Sequence, residues 1–159
     1  MLTIDEDRHY AFATRTVKFK KNNSLAKTPT RGSAEAAGWD LYAATSYIIT
    51  IKPHQTVKIS TGLSMELPKG TFGAVFARSG IATKRGLRPA NSVGVIDSDY
   101  RGELIVALHN DSDQDQYVEP GERIAQLIVM PYIPINLTEV DKLSETERGS
   151  GGFASTGNK

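Results

Sequence analysis

The feature that most constrains the fold is a recurring alternation of apolar and polar residues over short runs. Val17 and Phe19 alternate with lysines, and Val57 and Ile59 flank Lys58. A period of two residues places every second side chain on the same face, which is typical of half-buried β-strands. Further apolar runs occupy residues 48–51, 72–76, 104–108 and 124–130. Many short strands at this spacing predict an all-β sandwich or barrel.

Glycine and proline mark the turns between these runs. The chain has 14 glycines and 7 prolines, and Pro68-Lys69-Gly70 and Pro120-Gly121 each lie between two apolar runs. Long amphipathic patterns that would indicate helices are absent. One short helix is predicted over residues 79–84, because it begins at a serine and is followed by glycine and then proline.

Composition favours one domain and excludes several kinds of site. The chain has 159 residues, of which 39% are hydrophobic, and is long enough to bury a core without cross-links. It has no cysteine, which excludes disulfides, a cysteine nucleophile and the cysteine-ligated zinc of nucleobase deaminases. A net charge of +1 gives no reason to expect binding to nucleic acid.

The two ends of the chain differ from its β-rich body. We predict a β domain over residues 1–143, in which residues 1–15 form an unassigned extension. Residues 144–159 are rich in glycine, serine and threonine and are predicted to form a flexible arm. The charged amino terminus lacks the apolar stretch of a signal peptide, and no apolar run approaches the ~20 residues that cross a bilayer. We therefore expect a soluble, cytoplasmic protein that binds no membrane.

A strand-to-helix junction at residues 77–82 is a candidate phosphate site. The first N–H groups of a helix lack partners within the helix and carry partial positive charge. Arg78 would add a forked donor and Ser79 a hydroxyl. From these residues alone, the alternative is that Ser79 only caps the helix and that Arg78 is a solvated surface charge.

Residues 91–103 combine an apolar run with a polar turn. Asp97 and Asp99 are two residues apart, so in an extended chain both side chains would point to the same face. Neighbouring carboxylates suit a general base or a metal site. The alternative is an ordinary hairpin turn, in which aspartate and serine are common.

A glycine-rich segment at residues 148–157 is a candidate lid over phosphates, because glycine lets backbone amides approach an anion closely. Arg148 would supply the cation and Phe153 a ring for stacking. The segment is not a Walker P-loop, since its lysine comes one place late and no helix can follow. The alternative is a disordered chain end.

Taken in order, five stretches resemble the five motifs of the trimeric dUTPase family. They are residues 37–44 (AGWDLYAA), 77–82 (ARSGIA), 91–102 (NSVGVIDSDYRG), 121–128 (GERIAQLI) and 148–157 (RGSGGFASTG). The resemblance extends from about residue 18 to residue 157. It implies a jelly-roll-like β-barrel or sandwich with one short helix. It also implies a homotrimer with shared active sites, in which a mobile carboxy-terminal arm closes over a site on a neighbouring subunit.

The match to the family pattern has departures. Trp39 is bulkier than the usual residue at its position, and Ala154 stands where the family arm normally has glycine. Residues 85–90, which correspond to part of the uracil pocket, also differ from the family pattern. We expect the alanine to change how the arm closes.

The resemblance further implies a role for each site residue. Asp97 would be the general base that directs water at the α-phosphorus of dUTP, which yields dUMP and pyrophosphate. Mg²⁺ would bind the triphosphate, with Asp40 holding it through water; the alternative for Asp40 is a structural hydrogen-bond acceptor. Tyr100 would lie against the deoxyribose and exclude a 2′-hydroxyl. The further substrate-binding residues are Arg78, Ser79, Gly80, Asn91, Val95, Ile96, Ile105, Gln126, Arg148, Phe153, Ala154 and Ser155.

Two other functions compete with this interpretation. The deoxycytidine triphosphate deaminases share the fold and some of the motifs, and release of ammonia from dCTP would identify one. A protein that kept the fold as a binding or regulatory module would instead hold a protein partner. The intact Asp97, Tyr100 and Arg148 favour hydrolysis of dUTP, and a regulatory partner would be an additional role.

Overall fold

Ten strands and one short helix make up residues 14–152, the part of the chain that the computed structural model describes. In chain order the elements are β1 (Lys18–Lys21), β2 (Trp39–Tyr42), β3 (Ile49–Ile51), β4 (Thr56–Glu66), β5 (Thr71–Phe76), α1 (Ser79–Arg85), β6 (Leu87–Pro89), β7 (Gly94–Ile96), β8 (Glu103–Asn110), β9 (Gln116–Val118) and β10 (Arg123–Pro131). The longer strands coincide with the apolar runs of the sequence. Strand β7 lies in the apolar run predicted before the polar turn of residues 91–103, whereas β2, β6 and β9 were not predicted.

The strands form two four-stranded antiparallel sheets and a two-stranded ribbon. The first sheet has the order β1-β4-β8-β6, the second has the order β2-β10-β5-β7, and β3 pairs with β9. Buried side chains of both sheets join in one apolar core, for example Ile59 and Val106 from the first sheet and Leu41 and Leu127 from the second. The prediction of an all-β, jelly-roll-like fold is confirmed.

In strand β8, the pleat places successive apolar side chains on opposite faces of the sheet. Leu104, Val106 and Leu108 are buried, whereas Ile105 is half exposed on the opposite face. The uninterrupted apolar run did not reveal this difference, since alternation of side chains is invisible when every residue is apolar. Ile105 is therefore available to contact something outside its own sheet.

The helix α1 extends one residue beyond the prediction. The helix ends at Arg85. The capping residue that follows, Gly86, has a left-handed backbone (φ 67°) that glycine adopts at little cost. At the other end the capping position is Arg78, and no side chain caps the first turn. The alternative that Ser79 serves as the cap is therefore wrong.

None of the helical structure within residues 14–152 has the length and apolar character that a membrane crossing requires.

Candidate active site

Asp97 begins a hydrogen-bonded turn directly after β7. The N–H of Tyr100 donates to the carbonyl of Asp97 at 3.1 Å, and aspartate is favoured at the first position of such a turn. We expected Asp97 and Asp99 to share a face of an extended chain. The backbone turns here instead, yet both residues line one open groove of about 780 Å³. Because the Asp97 side chain is exposed, it can reach a water molecule and a ligand at the same time.

The strand that precedes this turn has one open edge. β7 pairs with β5 on one side and is the last strand of its sheet within residues 14–152. Main-chain N–H and C=O groups on its other side therefore have no strand partner there and can bind a planar ligand with donors and acceptors. Val95 is 61% exposed on this strand, and Asn91 lies in the exposed turn before it.

Tyr100 is fixed beside this edge by its own hydroxyl group, which donates to the carbonyl of Glu103 at 3.1 Å. Its side chain is nevertheless 45% exposed, so the residue keeps surface for contact with a ligand. Ile105 follows on β8, where its side chain points outward. Asn91, Val95, Ile96, Asp97, Tyr100 and Ile105 thus all lie on β7, on β8 or in the turns that adjoin them.

A second cluster forms around Asp40 on β2. This carboxylate is buried, and it accepts a hydrogen bond from Arg78 Nε at 2.7 Å and another from an Arg123 Nη at 3.2 Å. One buried anion holds two cations, so the cluster keeps a net positive charge. Such a cluster suits a phosphate group, and the hydrogen bond through Nε fixes the Arg78 side chain.

Gln126 supports the same region from β10. Its Nε2 donates to the carbonyl of Ala77 at 2.9 Å, which fixes the residue immediately before Arg78. A Cβ atom at position 38 would clash with the Gln126 side-chain oxygen, so Gly38 leaves the space that this side chain needs. Ser79 and Gly80 are exposed at the first turn of α1. The structure thus brings Asp40, Arg78, Ser79, Gly80 and Gln126 together.

The two clusters lie at opposite ends of β5 within one chain. Gly73 pairs with Ile96, so Asp97 is level with Phe72, at the beginning of this strand. Arg78 follows its other end. Six residues of extended chain separate these levels, which is about 20 Å at ~3.3 Å per residue. A triphosphate has only three linked phosphorus atoms and is much shorter than this separation of the backbone.

The segment after β10 has no strand or helix within the described residues. Its apolar side chains alternate along the chain and are largely exposed, with Ile133 at 84%, Ile135 at 72% and Leu137 at 92%. Arg148 lies in a turn, where its Nε donates to the carbonyl of Gly151 at 2.9 Å. The predicted site residues Phe153, Ala154 and Ser155 lie outside the described residues.

Residues 14–152 contain no group of three or more histidine, aspartate or glutamate side chains that could hold a metal ion. Both carboxylate oxygens of Asp40 are engaged by the arginines. The residue is thus the structural hydrogen-bond acceptor that the sequence allowed, and it does not fit direct coordination of a metal. Its predicted contact with Mg²⁺ through water stays a prediction.

Two carboxylates away from these clusters have shifted pKa values. The hydrogen bond from Arg88 lowers the pKa of Asp111, and the hydrogen bond from Lys18 lowers the pKa of Glu66. Both pairs are exposed surface ion pairs on the first sheet and its connecting turns. These pairs stabilise the ionised carboxylates of Asp111 and Glu66 and are not part of either cluster.

Comparison with known proteins shows similarity along almost the whole chain. The dUTPase family model matches residues 24–157. The chain is 48% identical over 142 residues to deoxyuridine 5'-triphosphate nucleotidohydrolase of Desulfitobacterium hafniense, covering 89% of this chain and 94% of that protein. It is 44% identical over 147 residues to the protein of the same name from Candida albicans, covering 91% and 90%.

A solved structure of Staphylococcus bacteriophage 80alpha dUTPase with dUPNHPP superimposes with a TM-score of 0.82 at 28% identity, covering 91% of this chain and 99% of the other. The shared fold and the sequence identity along most of the chain make it an enzyme of the nucleotidohydrolase class. Since the family model covers well over half of its length, the chain belongs to the dUTPase family.

Arg123 is the residue of these clusters to which the sequence analysis assigned no role. It lies within the fourth motif, but its partner Asp40 is 83 residues earlier in the chain. The available signal was an arginine at the beginning of an otherwise apolar strand, next to a glycine turn. Only the pairing of β10 with β2 brings the two side chains together.

Proposed function

We propose that this enzyme hydrolyses dUTP to dUMP and pyrophosphate, with Asp97 directing a water molecule at the α-phosphorus. An aspartate is normally ionised at neutral pH and can accept a proton from that water. The observation that carries the proposal is the exposed Asp97 at the first position of a fixed turn, directly after the open edge of β7. The reaction would keep uracil out of DNA and supply dUMP for dTMP synthesis.

The open edge of β7 is suited to recognise the base. Main-chain groups of Val95 and Ile96, together with the Asn91 side chain, would pair with the edge of uracil. A site built around hydrogen bonds to one base leaves groups unpaired against another, which gives strong discrimination against cytosine. Tyr100 would lie against the deoxyribose, where a 2′-hydroxyl finds no room, and Ile105 would add an apolar contact.

The cationic cluster is suited to hold the phosphates. Arg78 would bind them with its free guanidinium nitrogens, and Asp40 holds that side chain in place through Nε. Ser79 and Gly80 would donate from the uncapped first turn of α1, and Gln126 would complete this side. Arg148 would reach the terminal phosphate while Phe153, Ala154 and Ser155 cover the base and exclude water.

The separation of the two clusters supports a homotrimer with shared sites. If Asp97 and Arg78 act on one nucleotide, they come from different chains, because β5 holds them about 20 Å apart in each chain. The alternating exposed side chains of Ile133, Ile135 and Leu137 support this assembly, since a strand-like segment of that kind needs a partner to cover it. Three copies would then form three equivalent sites.

Members of the dUTPase family generally need a divalent metal ion. We propose Mg²⁺, which keeps several of its waters and binds through phosphate oxygens. The described residues do not form a protein cage for it, because the one buried carboxylate near the phosphate cluster is held by two arginines. The ion would therefore arrive with the triphosphate, and Asp40 would act on the arginines.

A nucleotide panel with magnesium tests the reaction. Release of pyrophosphate from dUTP, with little from dCTP, dTTP or UTP, supports the proposal. Release of ammonia from dCTP would instead assign the chain to the deaminases. No turnover of dUTP, together with capture of a protein partner that is independent of dUTP, would favour a binding module.

Mixed trimers test the shared site separately. Asp97→Asn and Arg78→Ala would each inactivate a homotrimer. When the two variants are unfolded together at equal amounts and refolded, about a quarter of the sites would combine an intact Asp97 with an intact Arg78 from a neighbour. Recovery of activity toward that fraction supports sharing, and no recovery in properly assembled trimers would show that each chain builds its own site.

A further inference from the structure

The strand β4 carries an irregularity opposite the beginning of β8. Ser60 pairs with Ile105, but the next registered pair is Ser64 with Glu103, so β4 has two more residues than β8 in this interval. Gly62 lies in the irregular stretch with a left-handed backbone (φ 67°), and a Cβ atom there would be 2.6 Å from the Cβ of Ala26. Such bulges often redirect a neighbouring segment near a functional site.

The carboxylate of Glu103 fills this irregularity. Its Oε1 accepts hydrogen bonds from the Ser60 hydroxyl and from the Gly62 N–H, the latter at 2.8 Å. The Thr61 hydroxyl donates to the carbonyl of Leu104 at 2.6 Å. The first two residues of β8 are thus tied to β4 by side-chain hydrogen bonds exactly where regular strand pairing is interrupted.

The main chain of Glu103 holds the other side of the turn. Its carbonyl accepts the hydrogen bond from the Tyr100 hydroxyl at 3.1 Å. Glu103 therefore links the β4 irregularity, through its side chain, to Tyr100, through its backbone. A shift of the first residue of β8 would carry the acceptor of Tyr100 with it.

We propose that Glu103 is a positioning residue that sets the selection of deoxyribose over ribose. The inference rests on the proposed function, in which Tyr100 lies against the sugar. Steric exclusion of one hydroxyl group needs a ring that stays in place, because a small displacement opens enough room for an oxygen atom. The two hydrogen bonds to the Glu103 carboxylate supply that rigidity, and without them the Gly62 N–H and the Ser60 hydroxyl lose an acceptor.

The test compares the ratio of kcat/KM for dUTP to kcat/KM for UTP across variants. Glu103→Ala should lower this ratio by about 3- to 10-fold, which corresponds to losing the net effect of about one hydrogen bond. Glu103→Gln keeps an Oε1 acceptor and should hold the ratio within about twofold of the wild type. Ser60→Ala removes one of the two donors and should shift the ratio in the same direction by less. Glu66→Ala is the matched control, since that glutamate pairs with Lys18 on the surface.

Circular dichroism and oligomeric mass establish that each variant is folded. A folded Glu103→Ala enzyme with an unchanged ratio would overturn the inference, and so would a Gln variant as unselective as the Ala variant. If the alanine variant does not fold, an unchanged ratio in folded Ser60→Ala overturns it. Failure of the wild type to turn over dUTP would overturn the proposed function instead, so the two failures are distinguishable.

Discussion

Replacing Asp40 with alanine should destabilise the protein through the two arginines that it holds. The carboxylate accepts from Arg78 at 2.7 Å and from Arg123 at 3.2 Å, and its side chain is only 11% exposed. Removing it leaves two guanidinium groups without their counter-ion beside a buried strand. The free energy of unfolding should therefore fall, and the position of Arg78 should become less defined.

The magnitude follows from the exposure of each arginine. The Arg78 side chain is 24% exposed, so its short hydrogen bond to a charged group contributes about 1.5–3 kcal/mol. Arg123 is 49% exposed and can turn to water, so its pair contributes at most about 0.5 kcal/mol. The sum is about 1.5–3.5 kcal/mol. Most of this range lies below the ~3–5 kcal/mol for breaking a fully buried pair, since both arginines retain access to solvent.

Denaturant unfolding at one fixed protomer concentration measures this difference, because dissociation of an oligomer makes apparent stability depend on concentration. Asp40→Asn provides a graded comparison. Its amide oxygen still accepts a hydrogen bond from Arg78 but carries no charge, so its loss should be smaller than that of the alanine variant. Glu66→Ala, which removes an exposed pair, should leave the unfolding midpoint close to that of the wild type.

An alanine variant at position 40 that is as stable as the Glu66→Ala control would refute this reasoning. So would equal losses for the asparagine and alanine variants, because the ordering depends on the hydrogen bond to Arg78 that the amide keeps. The first result would show that the arginines find other partners at no cost, and the second would show that the hydrogen bond kept by the amide contributes nothing to stability.

Three further outcomes are expected. Asp97→Asn should lower kcat by about 10²–10⁴, the usual contribution of a positioned base, and near-normal turnover in a steady-state assay would remove Asp97 from that role. Deletion of the residues after Lys142 should cripple turnover but leave the circular dichroism spectrum and oligomeric mass unchanged; full activity would show that the arm is idle. Arg88→Ala should raise the pKa of Asp111 toward its ordinary value near 3.8, as measured by NMR titration of the carboxyl carbon. Because the folded pKa is lowered, the pair's stabilisation exists above the unfolded pKa and disappears as pH falls through the folded one, so this variant should lose acid dependence in that window.

The long strands could be predicted because alternation in β4 and continuous apolar runs in β5, β8 and β10 are local properties of the chain. The signals for the helix are equally local, since Gly86 and Pro89 indicate its end within a few residues. The short strands β6 and β9 escaped prediction because three residues without an apolar run are too few to show a period, and they exist through pairing with β8 and β3.

The resemblance gave the candidate site residue by residue and implied that subunits share it, but it did not show which contacts within one chain separate the residues. The resemblance named Asp97 and Arg78 without showing that β5 holds them apart, because distance within the fold depends on strand register. The ion pairs of Asp40 and the contact between Glu103 and Ser60 also arise from pairing of distant strands. Neither contact leaves a signal in the residues next to it in the sequence, so a local sequence pattern cannot predict it.

The length of β5 has a consequence for how this enzyme behaves on dilution. In the proposed shared site, the base-binding edge and the phosphate cluster of one subunit act on different nucleotides, so a single folded subunit would be inactive by itself. Specific activity should then fall once the protomer concentration drops below the dissociation constant of the assembly, even though every subunit keeps its native structure. One damaged subunit would likewise inactivate two sites: the one that uses its Asp97 and the one in which its arginines bind the phosphates for a neighbour.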